Sequence, residues 1–181
     1  LGCRLGVTIV DVQRKQHVQW RGGERFAMCS TFKWVASAHM LSRVDAGRER
    51  LDRRIAYPRS ALVAHSPVTE KHADGPGLTL GELCEATITT SDNTAGNLVL
   101  EATGGPAGFT RFVREQGDAL TRLDRIEPAL NESRPGDERD TTTPDAMAGL
   151  LQRLLLGKGL LPASRKQLTQ WMLANQTSGA R

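Results

Sequence analysis

The chain has 181 residues, 39% hydrophobic and 24% charged, which is enough to bury a core and excludes a disordered tail. No apolar run approaches the roughly 20 residues that span a bilayer; the longest candidate, 150–161, is broken by Gln152, Arg153, Gly157, Lys158 and Gly159. The net charge is +4 and the pI about 9.3, but the two signs are interspersed, so a solvated surface with a mild pull on small anions fits better than a nucleic-acid-binding face.

Cys3, Cys29 and Cys84 are odd in number and none sits at Cys-x-x-Cys spacing, which argues against a disulfide scaffold and a zinc cluster. The chain opens on Leu1-Gly-Cys-Arg with no signal-peptide pattern, and both ends read as cut, so a piece of a longer protein is expected.

In chain order, 5–12 is β-branched and roughly alternating, and a polar turn at 13–16 joins it to 17–21, a hairpin ending at Gly22-Gly23. From Cys29 the period changes. Phe32, Val35, Ala36, Met40 and Val44 mark a helix that Gly47 ends. Residues 48–77 are irregular, with Pro58, Pro67 and Pro76. Thr79-Leu-Gly-Glu82 has capping-box spacing and opens a helix through Thr89. After a break at 91–93 a helix runs from about Thr94 to Ala102, and Pro106 begins another that ends near Gly117. From Asp118 to Thr142 no apolar period is visible, and so long an irregular segment in a compact chain is often functional. Thr143-Pro144 restarts a helix that ends at Gly157, and Pro162 starts one more carrying Leu168, Trp171 and Met172.

Three groups of residues suit chemistry. Ser30 and Lys33, three apart, share a helix face, with Ser30 in the first turn, where free N–H groups favour a developing oxyanion. A nearby amine takes the serine proton if burial lowers its pKa. An ordinary helix face is the simpler explanation of that pattern alone. Ser91-Asp92-Asn93 occupies a tight corner from which a hydroxyl and an amide project together, although these are also standard turn and capping residues. Glu127 and Asn131, four apart in the long loop, are spaced to hold one water between them, with the carboxylate as general base. A lone loop glutamate is otherwise merely solvated.

The order and spacing of these groups, with 26–33, 65–72, 90–95 and 136–144, resemble the class A serine β-lactamases, whose Ser-x-x-Lys and Ser-Asp-Asn signatures are shared with penicillin-binding proteins. The resemblance runs nearly the whole chain. It implies an α+β, multi-domain fold of the β-lactamase/transpeptidase type: an all-helical domain plus part of an α/β domain with an antiparallel sheet. The hairpin 1–27 belongs to the α/β domain. Residues 28–160 form the helical domain, including an omega-type loop at 118–142, and 161–181 return to the α/β domain.

The resemblance also implies roles. Ser30 is the acylated nucleophile, with Lys33 and Glu127 the candidates for activating it. Ser91 passes a proton to the lactam nitrogen, Asn93 holds the substrate amide, and Glu127 with Asn131 positions the deacylating water. His65 falls at an aromatic gate beside the cleft, although a plain loop histidine is an equal reading. Arg125 and Asp140 pin the neck of the loop. His17, His39 and His72 are taken as structural or surface residues. No cofactor or metal is implied. The partner is a small β-lactam, with no nucleic acid and no membrane, and the protein is a monomer in the bacterial periplasm or outside the cell.

Some family features are missing. No Lys-Thr-Gly or Lys-Ser-Gly motif is present, and Lys158-Gly159 lacks the hydroxyl residue. Cys84 matches one end of the family's helix–helix disulfide, but Ser37 stands at the other, which leaves Cys84 a buried free thiol. Cys29 resembles the cysteine of carbapenem-hydrolysing members. Arg181 falls near a carboxylate-binding arginine of some members. The alternatives to a hydrolase are a penicillin-binding transpeptidase or carboxypeptidase and a β-lactam sensor, both acylated without turnover; the Glu127–Asn131 pair discriminates against them.

Overall fold

A computed structural model describes residues 4–177. Cys3 and Arg181 lie outside the described residues.

The chain begins with an antiparallel hairpin, β1 (Val7–Asp11) and β2 (Gln16–Trp20), in the register Ile9↔Val18. Alternation gives it two unlike faces. Thr8 and His17 turn toward Asp145, whose Oδ1 accepts the Thr8 hydroxyl at 2.6 Å and lies 3.2 Å from His17 Nε2. Ile9, Val18 and Trp20 are exposed.

The body is built on α1 (Phe32–Asp45), whose buried residues, Phe32, Lys33, Val35 to Ala38, Met40 and Leu41, lie on several sides of the helix. A helix covered on most sides becomes the centre of its domain. Around it pack α2 (Leu80–Thr89), α3 (Asn93–Ala102), α4 (Gly105–Glu115) and α6 (Pro162–Leu173). Phe32 meets Phe109 edge to face at 6.4 Å, and His39 lies flat on Phe112 at 4.6 Å. Each buried ring of this kind contributes about 1.5–3 kcal/mol.

The helix starts follow the expected caps. Thr79 Oγ1 accepts Glu82 N–H at 3.2 Å while Glu82 Oε2 accepts Thr79 N–H at 2.7 Å. Asp92 caps α3 through Ala95 N–H, and Thr143 caps α5 (Pro144–Leu151) through Ala146 N–H. Such caps contribute about 1 kcal/mol each.

Three features differ from the sequence reading. A 3₁₀ turn, Cys29–Thr31, precedes α1, so Ser30 stands on that turn rather than in an α-helix. The segment after α5 widens into a π-type turn, Gln152–Leu156, before Gly157. Two short strand pairs lace the irregular stretches: β3 (Phe26–Ala27) with β6 (Thr141–Thr142), and β4 (Arg54–Ile55) with β5 (Leu78–Thr79). Two-residue strands are too short to carry an alternation signal. Among the described residues no helix is long and apolar enough to cross a membrane.

Candidate active site

The 3₁₀ turn before α1 presents Ser30 at the surface, while Lys33, one turn on, is buried. Lys33 Nζ is 3.2 Å from Ser30 Oγ, 3.0 Å from Ser91 Oγ, 2.8 Å from the Ser91 carbonyl and 2.5 Å from Asn93 Oδ1. Glu127 Oε1 stands 3.3 Å away, with both side chains 1–2% exposed. Five oxygens surround a group with at most three hydrogens, so they compete for it. Burial lowers the Lys33 pKa, against the opposing pull of Glu127 and, more weakly, Asp92. An amine shifted in that direction gives up its proton more readily and is better suited to take one from a hydroxyl. Ser91 Oγ donates to Ser30 Oγ at 3.1 Å, which closes a ring of two hydroxyls and the amine.

Glu127 reaches this cluster from the loop. Asn131 Nδ2 donates to Glu127 Oε2 at 2.6 Å, as the four-residue spacing suggests. Glu127 Oε1 makes no hydrogen bond of good geometry within the protein. Ser30, Ser91, Asn93, Glu127 and Asn131 line one cleft of about 790 Å³, and His65 stands on its rim. His65 Nε2 donates to the Thr90 carbonyl at 3.0 Å, which orients the ring, and its backbone accepts Asn93 N–H at 2.9 Å. Cys29, His65, Ser91 and Asp140 all hold left-handed φ between +44° and +61°. Non-glycine residues pay for that conformation, and such strain tends to gather at functional sites.

The loop is held at both ends. Arg125 Nε donates to Asp140 Oδ2 at 2.6 Å, and Asp140 Oδ1 accepts Asp124 N–H at 2.8 Å and Arg125 N–H at 2.9 Å. Asp140 is fully buried. The ion pair expected from the sequence is therefore a buried hub that also satisfies backbone donors, unlike an exposed pair at about 0–1 kcal/mol.

Two residues take positioning roles that the sequence reading did not assign to them. Asn97 Oδ1 accepts Glu127 N–H at 2.9 Å and its Nδ2 donates to the Glu127 carbonyl at 3.0 Å, so α3 clamps the loop at its glutamate. Its spacing of four from Asn93 was the available signal. Asp92, between the two motif residues, is buried and accepts from Val68 N–H, Thr69 N–H and the Thr69 hydroxyl besides capping α3. It ties the corner bearing Ser91 to the loop bearing His65.

The cysteines separate clearly. Cys84 is a buried free thiol whose pKa burial pushes up to about 12, against a small opposing pull from Ser37. Cys29 is free and exposed beside Ser30; partial burial and the Glu127 charge raise its pKa, which disfavours the thiolate.

The fold centred on α1 thus brings two serines, a buried lysine and a loop carboxylate to one cleft, residue types that suit acyl transfer. The model of the beta-lactamase enzyme family matches residues 2–181, and the chain belongs to that family. Solved structures assign it to class A. A mutant of the class A β-lactamase of the last common ancestor of Gram-negative bacteria is 60% identical, with a TM-score of 0.95 over 97% of this chain and 66% of that one. The ancestral class A enzyme itself is also 60% identical, with a TM-score of 0.95, 97% of this chain and 67% of its own covered. PenP from Rhodopseudomonas palustris, assigned to class A, is 55% identical with a TM-score of 0.97, over 99% of this chain and 69% of that one. This chain thus spans about two thirds of the length of the structures it matches.

Proposed function

We propose that the protein hydrolyses the β-lactam amide of penicillins and cephalosporins through a serine acyl-enzyme, and so confers antibiotic resistance. The observation that carries this reading is the position of Lys33 Nζ, within 3.3 Å of Ser30 Oγ, Ser91 Oγ and Glu127 Oε1.

In the first half-reaction Ser30 Oγ attacks the lactam carbonyl as its proton passes to Lys33, or to Glu127 across the same contact. The Ser30 N–H, at the start of a helical run where backbone donors lack intrahelical partners, is the candidate oxyanion donor. Ser91 delivers a proton to the lactam nitrogen as the C–N bond breaks. In the second half-reaction Glu127 takes a proton from a water held with Asn131. The resulting hydroxide attacks the ester carbonyl, and Ser30 Oγ leaves with the returned proton. Asn93 binds the substrate amide and steadies Lys33, and His65 borders the cleft. The substrate is a small β-lactam bound without a metal or organic cofactor, by a monomer in the periplasm or outside the cell.

The test is turnover of a chromogenic cephalosporin. Many turnovers per molecule are expected, with loss of both colour change and covalent labelling in Ser30→Ala. A stable one-to-one adduct in the unaltered protein would instead identify a sensor or transpeptidase, and labelling that persists in Ser30→Ala would overturn the nucleophile.

A further inference from the structure

Helix α4 carries Arg111 and Arg114 three residues apart, a spacing that puts both on one side of the helix. They line a groove of about 680 Å³ whose other wall is the segment leading into the catalytic loop, with Arg122, Leu123 and Asp124. Pro106 and Ala107 add apolar surface to it.

Most arginines among the described residues have a carboxylate within 4.0 Å: Arg53 has Glu49, Arg50 has Asp52 and Arg139 has Asp137. Neither Arg111 nor Arg114 has such a partner among the described residues. Arg114 Nη1 donates to the carbonyls of Asp118 at 2.6 Å and Thr121 at 2.7 Å. Those bonds fix the guanidinium in place without a carboxylate partner. The one carboxylate in the groove, Asp124, receives two bonds from Arg122 and a third from Asp140 N–H. It is already neutralised. Burial first, then the charges of Arg43 and Arg111, push the pKa of His39 down to about 4.

Guanidinium groups match the oxygens of a phosphate, and charge-assisted bonds of that kind are about twice as strong as neutral ones. We propose that this groove is a binding site for a small soluble phosphate anion or phosphate monoester, held by Arg111 and Arg114 with Arg122 at its edge. Ser30, Lys33 and Glu127 do not line it, so the site stands apart from the proposed hydrolysis. Its loop-side wall is already clasped to α4, since the Thr110 hydroxyl accepts Leu123 N–H at 3.0 Å and donates to the Leu123 carbonyl at 3.1 Å. An anion bridging Arg114 and Arg122 adds a second clasp two residues before Asp124, whose N–H donates to Asp140.

Titration of ¹⁵N-labelled protein with inorganic phosphate, at ionic strength held constant with sodium chloride, reads the Arg111 and Arg114 Nε–H and the Leu123 amide. Saturable shifts are expected, with a half-point of about 1–10 mM, the affinity of a few charge-assisted bonds. R111Q replaces an exposed side chain without a carboxylate partner, and should raise that half-point about tenfold while leaving Tm unchanged. Shifts that stay linear, that chloride reproduces, or that persist unaltered in R111Q overturn the site. Retention on phosphatidylglycerol vesicles without saturable phosphate shifts also overturns it, because the patch would then serve a membrane surface.

Discussion

The two halves of the candidate site are held by different physics. Ser30, Lys33, Ser91 and Asn93 ride on the start of α1 and the corner before α3, where backbone ladders and packing set their positions. Glu127 and Asn131 ride on a loop whose regular structure is a 3₁₀ turn, Ala129–Asn131, and the short β6 at its end, and side-chain clamps hold it. The first half needs the domain core. The second needs Asp140 and Asn97 as well. The proposed acylation and deacylation are therefore separable by mutation, because the loop can fail while the helices stand.

Asp140→Ala should have the largest effect. It leaves Arg125 with Glu132 alone and strands two backbone donors at the loop root, a loss of about 1–3 kcal/mol per donor in urea unfolding. Turnover should fall with it while Ser30 labelling survives below the unfolding midpoint; equal loss of both would mean that the halves are not separable. Asn97→Ala is a narrower cut, unpairing one donor and one acceptor of Glu127 at about 1–3 kcal/mol. It should slow release of the acyl group more than its formation, and a uniform change in the two rates would count against the clamp.

A smaller effect, confined to the helical half, comes from pH. Imidazole in the unfolded chain titrates near 6.5, whereas burial first, then Arg43 and Arg111, hold the folded His39 near 4. Between those values the unfolded chain binds more protons, so stability falls as the pH falls. Unfolding at pH 7 and pH 5 should differ by about 1–2 kcal/mol more in the unaltered protein than in His39→Phe, which keeps a flat ring on Phe112. Identical pH slopes would mean that His39 is not the group responsible.

The same division explains what the sequence revealed. Capping boxes, Pro at N1 and the two short motifs act over three or four residues, and they are legible at Thr79–Glu82, Thr143–Pro144, Ser30–Lys33 and Ser91–Asn93. Contacts between distant residues are not. Phe26 pairs with Thr142, and Asn97 grips Glu127 across thirty positions. Alternation in the hairpin showed which side chains share a face but not which face is covered, and the apolar face with Ile9, Val18 and Trp20 turned out exposed. The left-handed Cys29 that sets the turn under Ser30 has no local signature either, since cysteine does not favour positive φ.

The central claim is that Glu127 drives the second half-reaction and is not needed for a stable first product. Time-resolved intact-mass measurement of Glu127→Gln mixed with a penicillin tests it directly. The account predicts a mass increase equal to one intact penicillin on Ser30, decaying about 10²–10⁴ times more slowly than in the unaltered protein. An adduct that clears at the unaltered rate would contradict it.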